Sequence, residues 1–410
     1  MTRVIARLEL NWWPVGQGLF ATGRLHSWAG GTYSWVYDCG SSSGASVRDA
    51  AIRRYAGRYG ARHIELVTLS HFDADHINGI ETLVRGRTIG TVLLPYLPLW
   101  QRLLVALDEG IDAGNALFPF FVDPAAYLAG IEGAEIREVV FVPAVGPDDH
   151  DEGGEGPDPA PDGDPDGPIS GAKVEEGPPP DDYGDDPAAD GAPPLPIRFL
   201  RPAGRIVIPA LWEFMPYNDA QMLPRVTQRF TRRAARIARH LVRRPARRAL
   251  ALKVLQRLYD RTFGAGSGPR NLISLFLYSG PVGTRIEFER LVANARVRLN
   301  AARDNFAQLS TGDGSLDTPA RLDALRRFYA RERRFDRAGI LQVMHHGASG
   351  NSHDGVAAAL RPAVSIFCSD PVDKRYRHPH ADVVRDFWTW CPVQVDRDQG
   401  FNLCGLLMLR

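Results

Sequence analysis

The sequence predicts a mixed α/β (α+β) fold, and three observations carry that expectation. Short apolar, β-favouring runs end in polar loops that give way to helical spacing, most clearly at 63–84 and 363–388. Hydrophobic residues make up 44% of the 410 residues, enough for a sizeable core. One acidic and one basic tract interrupt this otherwise globular composition. The length fits two average domains or one large domain with insertions.

Residues 4–12 alternate as a strand, and Val15-Gly16-Gln17-Gly18-Leu19-Phe20 follows, its glycines suiting a tight turn or close backbone approach. Residues 34–40 read as a strand ending in Asp38-Cys39-Gly40, 46–58 as a helix, and 63–70 as a buried strand. Residues 77–84 have helical spacing, and 91–95 form another strand. Residues 98–143 hold short helical pieces rich in Leu, Phe and Ala, closing in the strand-like run 138–142. The tract 145–195 is dominated by Pro, Gly, Asp and Glu, with Lys173 its only Lys or Arg. Such a composition cannot offset its own ordering entropy, so it is expected to be a disordered acidic insertion. Residues 196–200 resume as a strand.

Residues 223–264 read as an arginine-rich helical insertion, interrupted near Pro245. Between 225 and 262 a single acid, Asp260, opposes a long series of arginines that includes Arg232, Arg236 and Arg243. A run this basic is often a solvated face, yet so many unopposed charges repel one another. A phosphate-rich partner bound through these arginines is one reading. The others are self-association with the acidic tract and contact with a protein partner. Further along, 271–278, 338–344, 363–368, 393–395 and 404–409 read as strands, while 318–334 and 381–388 read as helices.

The net charge of +1 averages the two biased tracts. The four cysteines form no CxxC pair, which fits a reducing cytosol. The first residues lack the apolar stretch of a signal peptide, and no apolar run approaches bilayer length, so a cytoplasmic protein without membrane association is expected.

The most informative stretch is Ser70-His71-Phe72-Asp73-Ala74-Asp75-His76-Ile77-Asn78-Gly79, lying between a strand and a helix. Two imidazoles and two carboxylates within six residues are costly as packing, because buried charge must be paired or bound to metal. A divalent metal site is expected, the alternative being a solvated loop.

This stretch resembles the His-x-His-x-Asp-His signature of the metallo-β-lactamase superfamily, with Asp73 at the usual place of the second His. The form His-x-Asp-x-Asp-His-x-x-Gly is similar to the hydrolase domain of ComEC-type DNA-uptake proteins and their soluble relatives. Further segments follow the order of that branch: 15–19, with Leu19 in place of an acid; Asp38-Cys39-Gly40; Asn271 to Leu275; Thr311-Gly312-Asp313; His345-His346-Gly347; and His378-Pro379, with Arg377 in place of a Gly. The resemblance implies a single αββα sandwich over residues 1–410, carrying residues 98–143, 145–195 and 223–264 as insertions. It implies one or two divalent ions, Zn²⁺ or Mn²⁺, on His71, Asp73, Asp75, His76, Asp313 and His346. Asp75 is expected to double as a base, with His345 and His378 in catalytic roles. For His378 a helix-start surface position is the alternative, and His353 and His380 read as surface residues. Asp38 either supports the ligands or simply forms a turn. No histidine sits where most relatives place a third metal-binding His, so Asn271 or water would complete that ion, unless Asn271 is a strand-end hydrogen-bonder.

The chemistry implied is hydrolysis of a nucleic-acid phosphodiester by a metal-activated water. Two alternatives stay open: hydrolysis of a small ester, lactone or amide, and a non-catalytic metal-containing binding or sensor module.

Overall fold

Two mixed β-sheets form the frame of the protein, for which a computed structural model describes residues 3–60, 62–146, 163–186, 194–264, 273–293 and 304–410. In chain order the strands begin with β1 (Arg3–Trp12), β2 (Ala21–Ser27), β3 (Thr32–Tyr37), β4 (His63–Thr68), β5 (Thr88–Pro95), β6 (Glu135–Val142), β7 (Lys173–Val174), β8 (Glu176–Gly177) and β9 (Ile197–Leu200). They continue with β10 (Ile206–Ile208), β11 (Trp212–Tyr217), β12 (Phe276–Pro281), β13 (Ile286–Ala293), β14 (Gln308–Ser310), β15 (Ile340–Gln342), β16 (Val364–Cys368), β17 (Pro392–Val395) and β18 (Phe401–Leu409). The first sheet has ten strands in the order β13-β18-β1-β2-β3-β4-β5-β6-β9-β8, and β3 through β6 and β9 run parallel. The second has eight, β17-β16-β15-β14-β12-β11-β10-β7, and β14 through β17 run parallel.

Alternation along the strands gives each sheet two apolar faces, and three cores result. One joins the sheets: Leu10, Trp35 and Leu66 of the first meet Trp212, Phe214, Leu277 and Ile366 of the second. Trp35 stands edge-on to Phe214 at 5.1 Å, an arrangement aromatic quadrupoles favour. Gly23 makes room for it, because a Cβ there would lie 1.9 Å from the indole. On the other face of the first sheet, Val36, Ile64 and Val67 pack against helical residues such as Ile52, Tyr55, Leu83, Leu103 and Leu241. On the other face of the second, Tyr217, Tyr278 and Leu341 pack against Leu322, Phe328, Leu360 and Phe387. Among the described residues no helix is long and apolar enough to cross a membrane.

The structure corrects several boundaries. The helix expected at 77–84 is two pieces, Ala74–Ile77 and Ile80–Val84. Gly79 breaks it by packing on the Cys39 carbonyl, which accepts its N–H at 2.8 Å. Helices Leu99–Asp108, Phe118–Val122 and Pro124–Ala129 occupy the expected insertion 98–143, but Glu135–Val142 is β6, an interior strand of the first sheet. The helix expected at 318–334 spans Pro319–Phe328. The arginine-rich segment forms helices Gln228–Arg243 and Arg248–Phe263.

The acidic tract is not disordered throughout. Residues 163–186 are described, and they carry β7, paired with β10, and β8, paired with β9. Several of its described acids are partners rather than solvated surplus. Glu175 accepts from Arg205 at 2.8 Å and Arg201 at 2.9 Å, and Asp182 accepts from the Tyr96 hydroxyl at 2.8 Å. Asp186 pairs with Arg102 at 2.7 Å, both fully buried. These bonds and ladders offset the ordering cost that composition alone makes prohibitive. Arg102 also donates to the carbonyls of Leu97, Phe121 and Val122, so removing its carboxylate strands a buried cation. Asp186→Ala is expected to cost about 3–5 kcal/mol, read as a lower urea midpoint by circular dichroism. An unchanged midpoint would show that the tract is held by other contacts.

Candidate metal centre

Every residue of the candidate site lies at or just beyond the carboxyl end of a parallel strand, from both sheets. Asp38 follows β3, His71 to His76 follow β4, Asp313 follows β14, His345 and His346 follow β15, and His378 lies in the loop after β16. Strand ends are where parallel sheets expose loops for chemistry. The sheets are tied at this edge: the Tyr37 hydroxyl donates to the Leu275 carbonyl at 2.5 Å, and the Leu275 N–H donates to the Ser70 carbonyl at 2.8 Å.

Asp38 holds the two histidines of the β4 loop. Fully buried and at φ 56°, a conformation Asp tolerates better than most residues, it turns its carboxylate back under that loop. One oxygen accepts the Ser70 N–H at 2.6 Å, and the other accepts the Ser70 hydroxyl at 2.6 Å and His76 Nδ1 at 2.8 Å. A carboxylate only accepts, so His76 carries its proton on Nδ1. The Ser70 hydrogen is spent on Asp38, so its oxygen accepts from His71 Nδ1 at 2.8 Å. His346 Nδ1 donates to the Cys368 carbonyl at 2.6 Å. In all three imidazoles Nδ1 is thereby the donor to the protein, and Nε2 faces the centre, where it can take a proton or an ion.

Those three Nε2 atoms converge on Asp313. His76 Nε2 lies 3.0 Å and His346 Nε2 3.4 Å from Asp313 Oδ1, and His71 Nε2 lies 3.7 Å from Oδ2. His345 Nε2 reaches Oδ2 at 3.4 Å, and Asp75 lies 3.6 Å from His346 Nε2. Asp313 is placed by a small framework: Gln342 Oε1 accepts the Thr311 and Gly312 N–H groups at 2.8 and 2.9 Å, and Ser274 Oγ accepts the Asp313 N–H at 3.1 Å. His71, His76 and Asp313 form one group whose ligand atoms lie within 4.8 Å of one another, and Asp75, His76 and His346 form a second. His71 Nε2, His76 Nε2, His346 Nε2 and Asp313 Oδ1 are buried without a hydrogen-bond partner. Buried polar atoms without partners are rare, and four aimed at one point fit a bound cation.

The electrostatics agree. Burial, reinforced by His76, pulls His71 down to about 4, so its imidazole is neutral at pH 7. For His76 burial acts in the same direction but is outweighed by Asp313 and Asp38, which hold it well above its ordinary value. Burial would raise Asp75, yet the imidazoles of His346, 3.6 Å away, and His76 bring it to about 2. Asp313 is likewise held low, against burial, by His345, His76 and His346. Asp73 is raised by burial and by the charges of Glu109 and Asp75, although its side chain is 40% exposed and water moderates that repulsion. The cluster therefore demands positive charge, which a proton on His76 or a metal ion would supply.

Of the six ligands expected from sequence, the two groups unite His71, Asp75, His76, Asp313 and His346. Asp73 stands at the rim, 3.7 Å from His71 Nε2. His345 takes the second Asp313 oxygen, on the side where sequence shows no third histidine, and Asn271 lies outside the described residues. His378 is buried, not a surface residue: Gln17 Nε2 meets its Nδ1 at 3.3 Å, and Gln17 Oε1 accepts the Asp370 N–H at 3.4 Å. His380 is partly buried and accepts the Ser349 N–H, and His353 contacts the Leu316 carbonyl. Arg232, Arg236 and Arg243 are not in the cluster; they lie exposed on a helix that packs on Leu99–Asp108. Sequence reasoning missed Glu109, which caps the Ala74 N–H at 3.1 Å from 35 residues away, and Gln342 and Asp370, which belong to no recognisable motif.

Compared with known proteins, the chain matches no family model and no curated protein.

Asp38→Asn puts a donor where His76 and Ser70 need an acceptor. Affinity for Zn²⁺ or Mn²⁺, measured by competition with a chromogenic chelator, is expected to fall about 10–100-fold while the far-ultraviolet spectrum is kept. Unchanged affinity would show that Asp38 merely forms a turn.

Proposed function

We propose that this protein is a metal-dependent hydrolase of phosphodiester bonds, acting on nucleic acid. One observation carries the reading: three imidazoles, each donating to the protein through Nδ1, aim unpartnered Nε2 atoms at a single buried carboxylate. The ordered motifs resembling ComEC-type hydrolase domains support the substrate class.

Because one Nε2 serves one ion, the donors divide naturally in two. Asp75, His76, His346 and Asp313 Oδ1 would hold one ion. His71, His345, Asp73 and Asp313 Oδ2 would hold a second, with Asp313 between them. The mixture of imidazole and carboxylate suits Zn²⁺ or Mn²⁺. Such ions supply Lewis acidity toward a phosphoryl oxygen and a water of lowered pKa.

The protein's own groups do the rest. Asp75 stays ionised, held by His346, and is available to orient or accept a proton. The Asp370 N–H fixes the Gln17 amide so that its NH₂ faces His378 Nδ1. That makes Nδ1 the acceptor and leaves the His378 proton on Nε2, where it can donate to a substrate oxygen. His378 lies beside His345 and His346, with ring centroids at 5.8 and 6.2 Å.

Metal content per chain by mass spectrometry, beside Asp75→Ala, tests the centre. Close to two ions, reduced in the variant together with hydrolysis of labelled DNA or RNA, is the expected result. No metal after loading with Zn²⁺ and Mn²⁺ would overturn the reading in favour of a binding module, and cleavage of small esters alone would overturn the substrate class. Gln17→Ala should leave metal content intact and lower turnover by up to roughly tenfold, the scale of one net hydrogen bond. Unchanged turnover would remove His378 from the chemistry.

A further inference from the structure

The arginines of helix Gln228–Arg243 fall into a pattern that packing does not require. Phe230, Ala234, Ala238 and Leu241 are buried, and Phe230 meets Trp100 edge-on at 5.4 Å. On the opposite side Arg229, Arg232, Arg236, Arg239 and Arg243 are all exposed. At 3.6 residues per turn these five occupy an arc of about 80° and a length of about 21 Å. The second helix, Arg248–Phe263, buries Ala251, Leu252, Leu255 and Tyr259 and turns Lys253, Arg257 and Arg261 outward. Twelve arginines and one lysine share residues 225–262 with a single acid, Asp260. A face that serves solubility alone mixes both signs, as mutual repulsion otherwise destabilises it.

We infer that this helical hairpin is a docking surface for the phosphate backbone of nucleic acid. Arginine suits that partner because its planar fork binds phosphate oxygens bidentately. A lipid surface fits less well. The aromatic rings Phe230 and Tyr259 are buried, and the exposed large apolar side chains of the hairpin are Leu250 and Val254 alone. An interfacial helix needs a continuous apolar face turned outward. One helix links the hairpin to the candidate metal centre. Tyr259 donates its hydroxyl to the Trp100 carbonyl of helix Leu99–Asp108, and Glu109 at the end of that helix caps Ala74 of the ligand loop. Docking stands on charge and geometry alone; that the docked strand is also the one cleaved rests on the proposed hydrolase activity.

The test uses the full chain as Asp313→Ala, which cannot cleave on the proposed reading, with fluorescent oligonucleotides titrated over a range of salt. Asp313→Ala alone is the reference against which the added substitutions are read. Adding Arg229→Gln, Arg232→Gln and Arg236→Gln should weaken binding at least tenfold and reduce the slope of log affinity against log salt by about 2–3, the loss of three phosphate contacts. Single-stranded and duplex probes separate the two forms by slope. An unchanged slope in the triple variant, or tighter association with phosphatidylserine vesicles than with oligonucleotides, would overturn the inference. Because binding is read without turnover, its failure is distinct from failure of the hydrolase reading.

Discussion

The buried carboxylate of Asp38 is the constraint on which the candidate site depends. It accepts three hydrogen bonds, two from Ser70 and one from His76, and so commits both side chains to a single protonation pattern. Through the spent Ser70 hydroxyl it also commits His71. Two candidate ligands on one loop are thus oriented by one anion, Asp38, whose own left-handed conformation at the end of β3 aims it. A neutral hydrogen-bonder there would have to choose between donating and accepting, and the tautomers would no longer be forced.

That arrangement needs the backbone of two loops in near contact. A Cβ on Gly40 would fall 2.4 Å from the Asp75 carbonyl carbon, so only glycine lets the β3 turn lie directly against the ligand loop. The second sheet brings the opposing half. Thr311 and Gly312 are gripped by one Gln342 side chain, and His345 and His346 adopt positive φ of 42° and 57°. Strain of this kind persists only where surrounding structure over-determines it. Here the Cys368 carbonyl fixes one ring of the pair, and the Gly312 carbonyl accepts the His345 N–H at 3.0 Å.

How far sequence reaches follows from locality. The candidate ligand loop was legible because its four charged residues sit within one strand-to-helix connection, and Asp313 and His345-His346 were legible as motifs of the resemblance, in its order. Most strands were visible as apolar runs, but β2, β7, β8, β10, β11 and β13 passed unnoticed, and the first of these carries Thr22, Gly23 and Arg24. Glu109 was invisible because its role comes from a turn of tertiary structure rather than a neighbour in the chain. The acidic tract misled for the opposite reason. Its composition predicts an unfolded polyanion, but composition cannot show that buried Arg102 and Arg205, with half-buried Arg201, take Asp186 and Glu175 as partners.

This pairing bears on how the two biased tracts relate. If the acids of 145–195 simply neutralised the arginine insertion, their carboxylates would be engaged with the hairpin. Four of the described ones engage arginines and a tyrosine elsewhere: Glu175 near β10, Glu176 with Arg198 of β9, Asp182 and Asp186 with Tyr96 and Arg102. Each of these acids contributes to holding the sheet edges and the helix Leu99–Asp108 in place, and that helix is the one on which the arginine hairpin rests. These four acids are spent on structure, therefore, while the arginines of the hairpin stand on an exposed face. Near-neutral net charge conceals this division, since internal pairs add nothing to the field outside and exposed arginines do. A chain of +1 can still present a strongly cationic face, and this one presents it on helices packed against Leu99–Asp108, the helix whose end caps the loop of candidate metal ligands.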